Sequence, residues 1–421
     1  MRTMTGLATA GLAMTLLAAG PALAAAKTAQ KDAKVWAAAQ AARADQLKLL
    51  EQVVNLDSGA GDADGGRKVA AVLIPRLKAL GTTIESVKAE AEGLPENTVA
   101  TLTGTGKGRI LIIAHLDTVF GPGTVAKWPF RIDGDRATGP GVSDEKGGVI
   151  EALYALQLLH DQNFKDFKQI VFLIETSEER GSPGTRALID KLFKDADVEL
   201  NMEPGDPPDA VTVWRKGSTV IHVDVKGRAA HAGVAPQDGR NAAEELIHQL
   251  KAVERFPKTG DGMTLNLTLL KAGARNNIIP EDASATFSLR VRDKADVEKV
   301  IQAMETSAMT TVIPDTRVTV ARETSFPPLP NNPGTDALAA RAEAIYAGLD
   351  RKLERAGNGG ASESALAAEA GIPALDGLGP VGGGFHSEKE FLDLTTLTPR
   401  LYLLTKLIME LGKSPPAPMT K

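Results

Sequence analysis

The chain has no cysteine among its 421 residues. Disulfides and thiolate ligands are therefore excluded, and any metal must be held by imidazole and carboxylate. Aromatic residues make up 4% and methionines number 9, too few to suggest an aromatic or thioether cofactor box. Charge of one sign is also lacking. The formal net charge is -5 with no run of like charge, so there is no basic face for nucleic acid. Long apolar runs are absent beyond the N-terminal stretch, so no later segment is expected to cross a bilayer. That stretch has Arg2 followed by an Ala/Leu/Met run from Gly6 to Ala19 and then Pro21-Ala22-Leu23-Ala24-Ala25-Ala26. It reads as a secretory signal over residues 1–26, cleaved after Ala24 or Ala26, with an uncleaved anchor as the other reading. Export to the periplasm or medium is expected, with no membrane association once the signal is cleaved.

What is present is a series of apolar runs that stop on acidic or histidine residues. Arg109 to Ala114 is such a run, and it ends on His115-Leu116-Asp117. A buried parallel strand carries a site at its carboxyl edge in this manner. Residues two apart in an extended chain point to one side, so Asp117 can hold one nitrogen of His115 and leave the other for a metal. Taken alone the motif is equally a strand end with a chance His and Asp. Further positions follow. Asp144 lies in the Gly-rich loop Gly139-Pro140-Gly141-Val142-Ser143-Asp144, a second apolar run leads through Glu175 to Glu178-Glu179, a third ends on Glu203-Pro204, and Gly382-Gly383-Gly384-Phe385-His386 places a histidine on a glycine loop. Two histidines and three carboxylates suit two Zn²⁺ ions sharing one carboxylate.

This ordered set resembles the co-catalytic zinc exopeptidase family over nearly the whole mature chain. That family includes glutamate carboxypeptidases, acetylornithine deacetylases, succinyl-diaminopimelate desuccinylases and aminoacylases. The match is most similar to the glutamate carboxypeptidase branch of the carboxypeptidase G type, including Pro399-Arg400-Leu401-Tyr402. The resemblance implies two Zn²⁺ per subunit. His115 and Glu203 would complete one ion, Glu179 and His386 the other, with Asp144 bridging and Asp117 orienting His115. Adjacent carboxylates cannot easily serve one metal, so one of Glu178 and Glu179 should ligate and the other face the attacking water. The family pattern gives Glu179 to zinc and Glu178 to general acid/base chemistry. The implied reaction is hydrolysis of an amide or peptide bond in a small peptide or N-acyl amino acid by metal-activated water. It would release a C-terminal amino acid, glutamate from an N-acyl or folate-like partner.

Periodicity places helices over 34–56, 67–80 (with Pro75 expected to kink it or move its start), 147–160 and 185–193, and strands over 98–103, 110–114, 170–175 and 198–202. Alternating strands and helices predict an α/β catalytic domain with a mostly parallel sheet flanked by helices. After Pro204-Gly205-Asp206-Pro207-Pro208 the grammar changes to long alternating strands over 211–225, a helix over 241–253, strands over 264–270 and 283–291, a helix over 295–304 and a strand over 317–321. That βαββαβ order predicts an inserted α+β domain. The expected division is 27–213 (catalytic, first part), 214–328 (dimerisation) and 329–421 (catalytic, second part). Phe326 to Gly334 is the return linker, and a last helix lies near 397–411.

The insertion carries three positions that match the family: His231 in Gly227-Arg228-Ala229-Ala230-His231-Ala232-Gly233, Asn277 in Asn276-Asn277-Ile278-Ile279-Pro280, and Arg290 in Phe287-Ser288-Leu289-Arg290. The resemblance implies a homodimer in which His231 reaches the partner's site and stabilises the oxyanion with zinc. Asn277 and Arg290 would hold the substrate's carboxylate, for which a planar guanidinium is suited. His160, His222 and His248 have no carboxylate pattern around them and read as structural or solvated. Gly104-Thr105-Gly106-Lys107-Gly108 joins two strands and opens no helix, so it is not a phosphate loop.

The turn after Glu203 lacks a basic residue to grip a glutamate side chain, and Arg322 is the substitute considered. N-acyl amino acid deacylase and dipeptidase activities remain open within the family. From another class, a non-catalytic periplasmic solute-binding protein would also have two α/β domains, without paired glutamates or metal.

Overall fold

The computed structural model describes residues 30–419; the expected signal segment lies outside them. The central sheet has six strands in the order Thr83–Val87, Asn97–Thr103, Gln169–Glu175, Arg109–His115, Val198–Asn201, Ala374–Leu375. The first two pairings are antiparallel and the remaining three parallel. Arg109–His115 is apolar on consecutive residues because both faces are covered. Ile110 and Ile112 pack with Leu49, Leu153 and Leu401 from helices Ala33–Val54, Lys146–Asp161 and Leu397–Lys413. Leu111 and Ile113 face the other way, against Leu188, Ile189 and Phe193 of helix Arg186–Phe193.

Register then decides what meets at the carboxyl edge. His115 is opposite Glu175, and Ile113 is opposite Asn201. The chain leaving each strand therefore delivers Asp117, Glu178-Glu179 and Glu203 to one edge. A separate four-stranded sheet supplies the other side, with order Gly382–Gly383, Phe391–Asp393, Arg136–Thr138, Arg131–Asp133. It joins the loop carrying His386 to the strand that runs into the Asp144 loop. None of those short strands is legible in the sequence.

Residues Gly217–Phe326 form a second layer pair. Their antiparallel sheet runs Thr264–Ala272, Asp282–Val291, Gly217–Lys226, Arg317–Phe326, with helices Ala242–Leu250 and Ala295–Ala308 packed on one face around Phe287, Leu289 and Ile301. Alternation in Asp282–Val291 buries Ala285, Phe287, Leu289 and Val291 against the helices and turns Ser288 and Arg290 to the opposite face.

Several expected boundaries move. The strand expected over 211–225 is broken at Lys216. Ala210–Arg215 pairs in parallel with Glu354–Asn358, whereas Gly217–Lys226 belongs to the antiparallel sheet. The last strand continues to Phe326 because its second half pairs with Ser218–Ile221, so Phe326 closes the sheet and is not linker. Arg215 and Leu329 exchange backbone hydrogen bonds, which sets the two crossings between the layer pairs side by side. The second helix starts early, at Ala63, because the Asp62 carboxylate accepts from Gly65 N. It runs to Ala79 with Pro75 inside it.

Candidate active site

His115 is almost wholly buried, and both its backbone and its ring are held. Its backbone N–H donates to Glu145 Oε2 at 2.9 Å, and its Nδ1 lies 3.0 Å from the backbone carbonyl of Asp117. The Asp117 carboxylate, expected to hold that nitrogen, is 3.6 Å away, outside hydrogen-bond range. It accepts instead from Glu178 N (3.1 Å) and Glu179 N (3.2 Å). The acidic side chain thus fixes the turn that presents the paired glutamates, and the carbonyl fixes the imidazole. This corrects the expected contact: the Asp117 carbonyl, and not its carboxylate, lies within hydrogen-bond range of the ring.

The free nitrogen of His115 is surrounded by acids. Nε2 has Asp144 Oδ1 at 3.3 Å, Glu145 Oε2 at 3.5 Å, Glu203 Oε1 at 3.6 Å and Glu178 Oε2 at 3.9 Å, yet it makes no hydrogen bond. On the other side His386 Nε2 lies 3.3 Å from both Asp144 Oδ2 and Glu179 Oε2. Asp144 therefore turns one oxygen toward each imidazole. His386 has φ of 60°, a left-handed conformation uncommon outside glycine, which points its ring inward from an exposed loop. Donor atoms of His115, Glu178 and Glu203 lie within 4.8 Å of one another, as do those of Asp144, Glu179 and His386.

So many carboxylates in one place strain their ionisation. Burial pushes Glu178 well above the usual range, and the charges of Glu363, Glu203 and Glu179 add to it. Burial also lifts Glu203 to about 7 against the pull of Arg215. Asp144 behaves oppositely, because the imidazoles of His115 and His386 beside it outweigh its burial and hold it well below the carboxylate range. Burial would lower His115, but Asp117, Asp144 and Glu203 hold it well above its usual value. A buried imidazole nitrogen without a hydrogen bond, ringed by carboxylate oxygens, fits a divalent cation as its partner. The donor set, imidazole and carboxylate only, fits as well.

The site opens into a cavity of about 420 Å³ between the two layer pairs. Arg290, Ser218 and Val220 line it from the antiparallel sheet, facing Asp144, Glu178, Glu179, Glu203 and His386. Arg290 is half-buried with no ion pair among the described residues; burial lowers its pKa and the charge of Glu178 partly restores it. Arg322, considered for a substrate side chain, points to the helix-covered face and pairs with Glu298 at 2.5 Å. Arg180, by contrast, lines the cavity, and among the described residues its side chain donates to the Ala60 carbonyl alone, at 2.7 Å.

His231 and Asn277 are not brought to this cavity within the chain. His231 is exposed on a two-residue strand paired with Ile278–Ile279, and its Nδ1 accepts from Gly233 N and Val234 N. That leaves Nε2 to carry the proton and face outward. Asn277 is exposed too, with its carbonyl taken by Ala232 N. His160, His222 and His248 line no part of the cavity. Residues unforeseen from the sequence include Glu145, Glu363, Arg215 and Asp376. Arg215 is buried, grips Asp376 with Nε (2.6 Å) and Nη2 (2.7 Å), and reaches Glu203 Oε2 at 3.3 Å. A buried arginine at the end of a strand has no periodic signature, so nothing local to Trp214-Arg215-Lys216 marks it.

Fold and site together define a metal-dependent hydrolase. The pattern of Peptidase family M20/M25/M40 matches residues 111–410. The chain is 34% identical over 409 residues to carboxypeptidase G2 of Pseudomonas sp. (strain RS-16), covering 96% of this chain and 97% of that one. Among solved structures, human carnosine dipeptidase 1 superposes with a TM-score of 0.72 at 17% identity, over 90% of this chain and 98% of that one. A dinuclear metal-binding peptidase of the M20 family from Bacillus subtilis gives 0.64 at 16% identity, over 89% and 99%. These two likenesses concern the fold. The chain belongs to peptidase family M20/M25/M40 and is a metallopeptidase. The solute-binding alternative falls with that membership.

Proposed function

We propose that the protein is a carboxypeptidase holding two Zn²⁺ ions per subunit, with His115, Asp144 and Glu203 around one and Asp144, Glu179 and His386 around the other. The observation that carries this reading is Asp144, whose two oxygens lie 3.3 Å from His115 Nε2 and 3.3 Å from His386 Nε2. Bound there, the ions would supply Lewis acidity toward water and the scissile carbonyl. Glu178 takes the proton from the attacking water and passes it to the leaving amine. Its elevated proton affinity suits the second task, and the positive charge at the site suits the first. Asp117 holds the Glu178-Glu179 turn through two N–H groups, which fixes the backbone from which one glutamate would ligate and its neighbour would carry a proton.

Arg290 binds the free α-carboxylate of the substrate, with Asn277 as a second donor. A C-terminal glutamate has two carboxylates, and the cavity has two guanidinium groups, Arg290 and Arg180, not paired to acids among the described residues. This count supports release of glutamate from an N-acyl or folate-like partner, with Arg180 in the part considered for Arg322. The similarity to carboxypeptidase G2 supports a carboxypeptidase activity.

The active form we propose is a homodimer assembled through a domain over residues 214–328, set between catalytic parts 27–213 and 329–421. Thr264–Ala272 is an edge strand with Leu267, Leu269 and Leu270 exposed, and Ile247 is exposed on helix Ala242–Leu250. An apolar edge of this kind is normally covered. His231 would then enter the partner's site and donate Nε2–H to the oxyanion. The mature protein would act in the periplasm or the medium after removal of residues 1–26.

Metal analysis and turnover of N-acyl-glutamate test the reading. About two zinc ions per chain are expected, because one tetrahedral ion cannot take up five ligands. Full activity with a single ion would overturn the two-metal centre.

A further inference from the structure

Glu390 is wholly buried four residues beyond His386, and no part of the reaction described so far uses it. Its carboxylate accepts three backbone N–H groups from one loop: Gly141 N on Oε2 at 3.2 Å, and Ser143 N (2.9 Å) and Asp144 N (3.1 Å) on Oε1. That is the loop that presents Asp144. Three converging amide N–H groups form an anion cradle, and a carboxylate filling it fixes the loop's backbone more rigidly than its own turns do. Glu390 is itself fixed, because the hairpin Gly382–Gly383/Phe391–Asp393 that bears it is hydrogen-bonded to Arg136–Thr138. No substrate-facing role is open to it, since it does not line the cavity.

We infer that Glu390 is a positioning residue that locks the Asp144 loop to the His386 loop, so that the shared carboxylate and the second imidazole are presented as one unit. The inference rests on the proposed ligand roles of Asp144 and His386. Its chemical logic is a mismatch of donors. A glutamine at 390 has one acceptor oxygen, and its NH₂ group would face at least one of the three N–H groups. The loop would then be released by the one substitution that hardly changes side-chain volume. Because Asp144 turns an oxygen to each imidazole, release loosens both ions together.

The test uses the full chain, stripped of metal and titrated with Zn²⁺ against a competing chelator, and separately with Co²⁺ followed by visible absorption. In Glu390→Gln, affinity for both ions is expected to fall about 10- to 100-fold, in the range seen when groups supporting metal ligands are removed. The Co²⁺ spectrum should shift, and kcat should fall with KM nearly unchanged. His386→Ala is the comparison. If it leaves metal uptake as in the wild type, the proposed ligand set itself is wrong. If it abolishes one ion while folded Glu390→Gln binds both with wild-type affinity, only the positioning role is overturned. Should Glu390→Gln fail to fold, Glu390→Asp decides, since it keeps the charge and withdraws the carboxylate by one methylene. Intermediate affinity supports the role, and wild-type affinity in folded Glu390→Asp overturns it.

Discussion

Replacing Arg290 by methionine separates binding from folding, because the structure assigns this guanidinium a cost in the free protein and a benefit only with substrate. It sits half-buried on the cavity face of Asp282–Val291, opposite Ser218, without an acidic partner among the described residues. Methionine keeps most of the aliphatic stem and removes the unpaired charge, so the thermal midpoint should stay at or above that of the wild type. The lost interaction is a charge-assisted hydrogen bond or bidentate pair to the substrate's α-carboxylate, worth about 1.5–3 kcal/mol. That corresponds to roughly a 10- to 150-fold fall in kcat/KM. The assay compares an N-acyl amino acid with its C-terminal amide in both proteins. Wild type should discriminate strongly against the amide, and Arg290→Met should barely tell the two apart. If the variant loses activity equally on both, or if its midpoint drops by several degrees, Arg290 is a structural residue and the carboxylate assignment fails.

Glu178→Ala should abolish turnover with metal retained, whereas Glu179→Ala should weaken one ion; elemental analysis beside the rate would expose a reversed assignment if the phenotypes exchange. In metal-free protein His386, ordinarily 6.5, is held up to about 10 by Asp144 and Glu179. The folded value lies above the unfolded one, so this stabilisation is complete below about 6.5 and disappears as pH rises through about 10. Metal must displace that proton, so affinity should rise across the window and calorimetry in two buffers should report proton release; pH-independent uptake would contradict it. Finally, co-expressed His231→Ala and Glu178→Ala chains should recover about a quarter of wild-type activity, since random pairing makes half the dimers mixed and each mixed dimer has one intact site. No recovery in proven heterodimers would place His231 in its own chain's service.

The ends of the parallel strands were the most legible part. An apolar run such as Arg109 to Ala114 has one structural solution in an α/β sheet, so the polar residues closing it had to appear at an edge. Donor atoms of His115, Glu178 and Glu203 are within 4.8 Å of one another for that reason. Contacts made by a turn were less legible. The Asp117 carbonyl takes the contact to His115 expected of its side chain, and the side chain holds the Glu178-Glu179 turn instead, because backbone groups carry no signature in the sequence. Arg322 illustrates a register effect. One residue's difference in alternation turns it toward Glu298 on the helical face, whereas Arg290, on the paired strand system, faces the cavity.

Local pattern alone determined the α/β class, the inserted α+β block and the types of residue available to a metal. These follow from periodicity and from the absence of cysteine, both properties of neighbouring residues. Only the tertiary structure decided that Asp144 turns one oxygen to each histidine, that Arg215 ties Asp376 to Glu203, and that Glu390 fills the cradle behind Asp144. Those contacts join residues 12 to 249 positions apart. No local rule encodes them, because they depend on which loops the sheet register brings to the same edge.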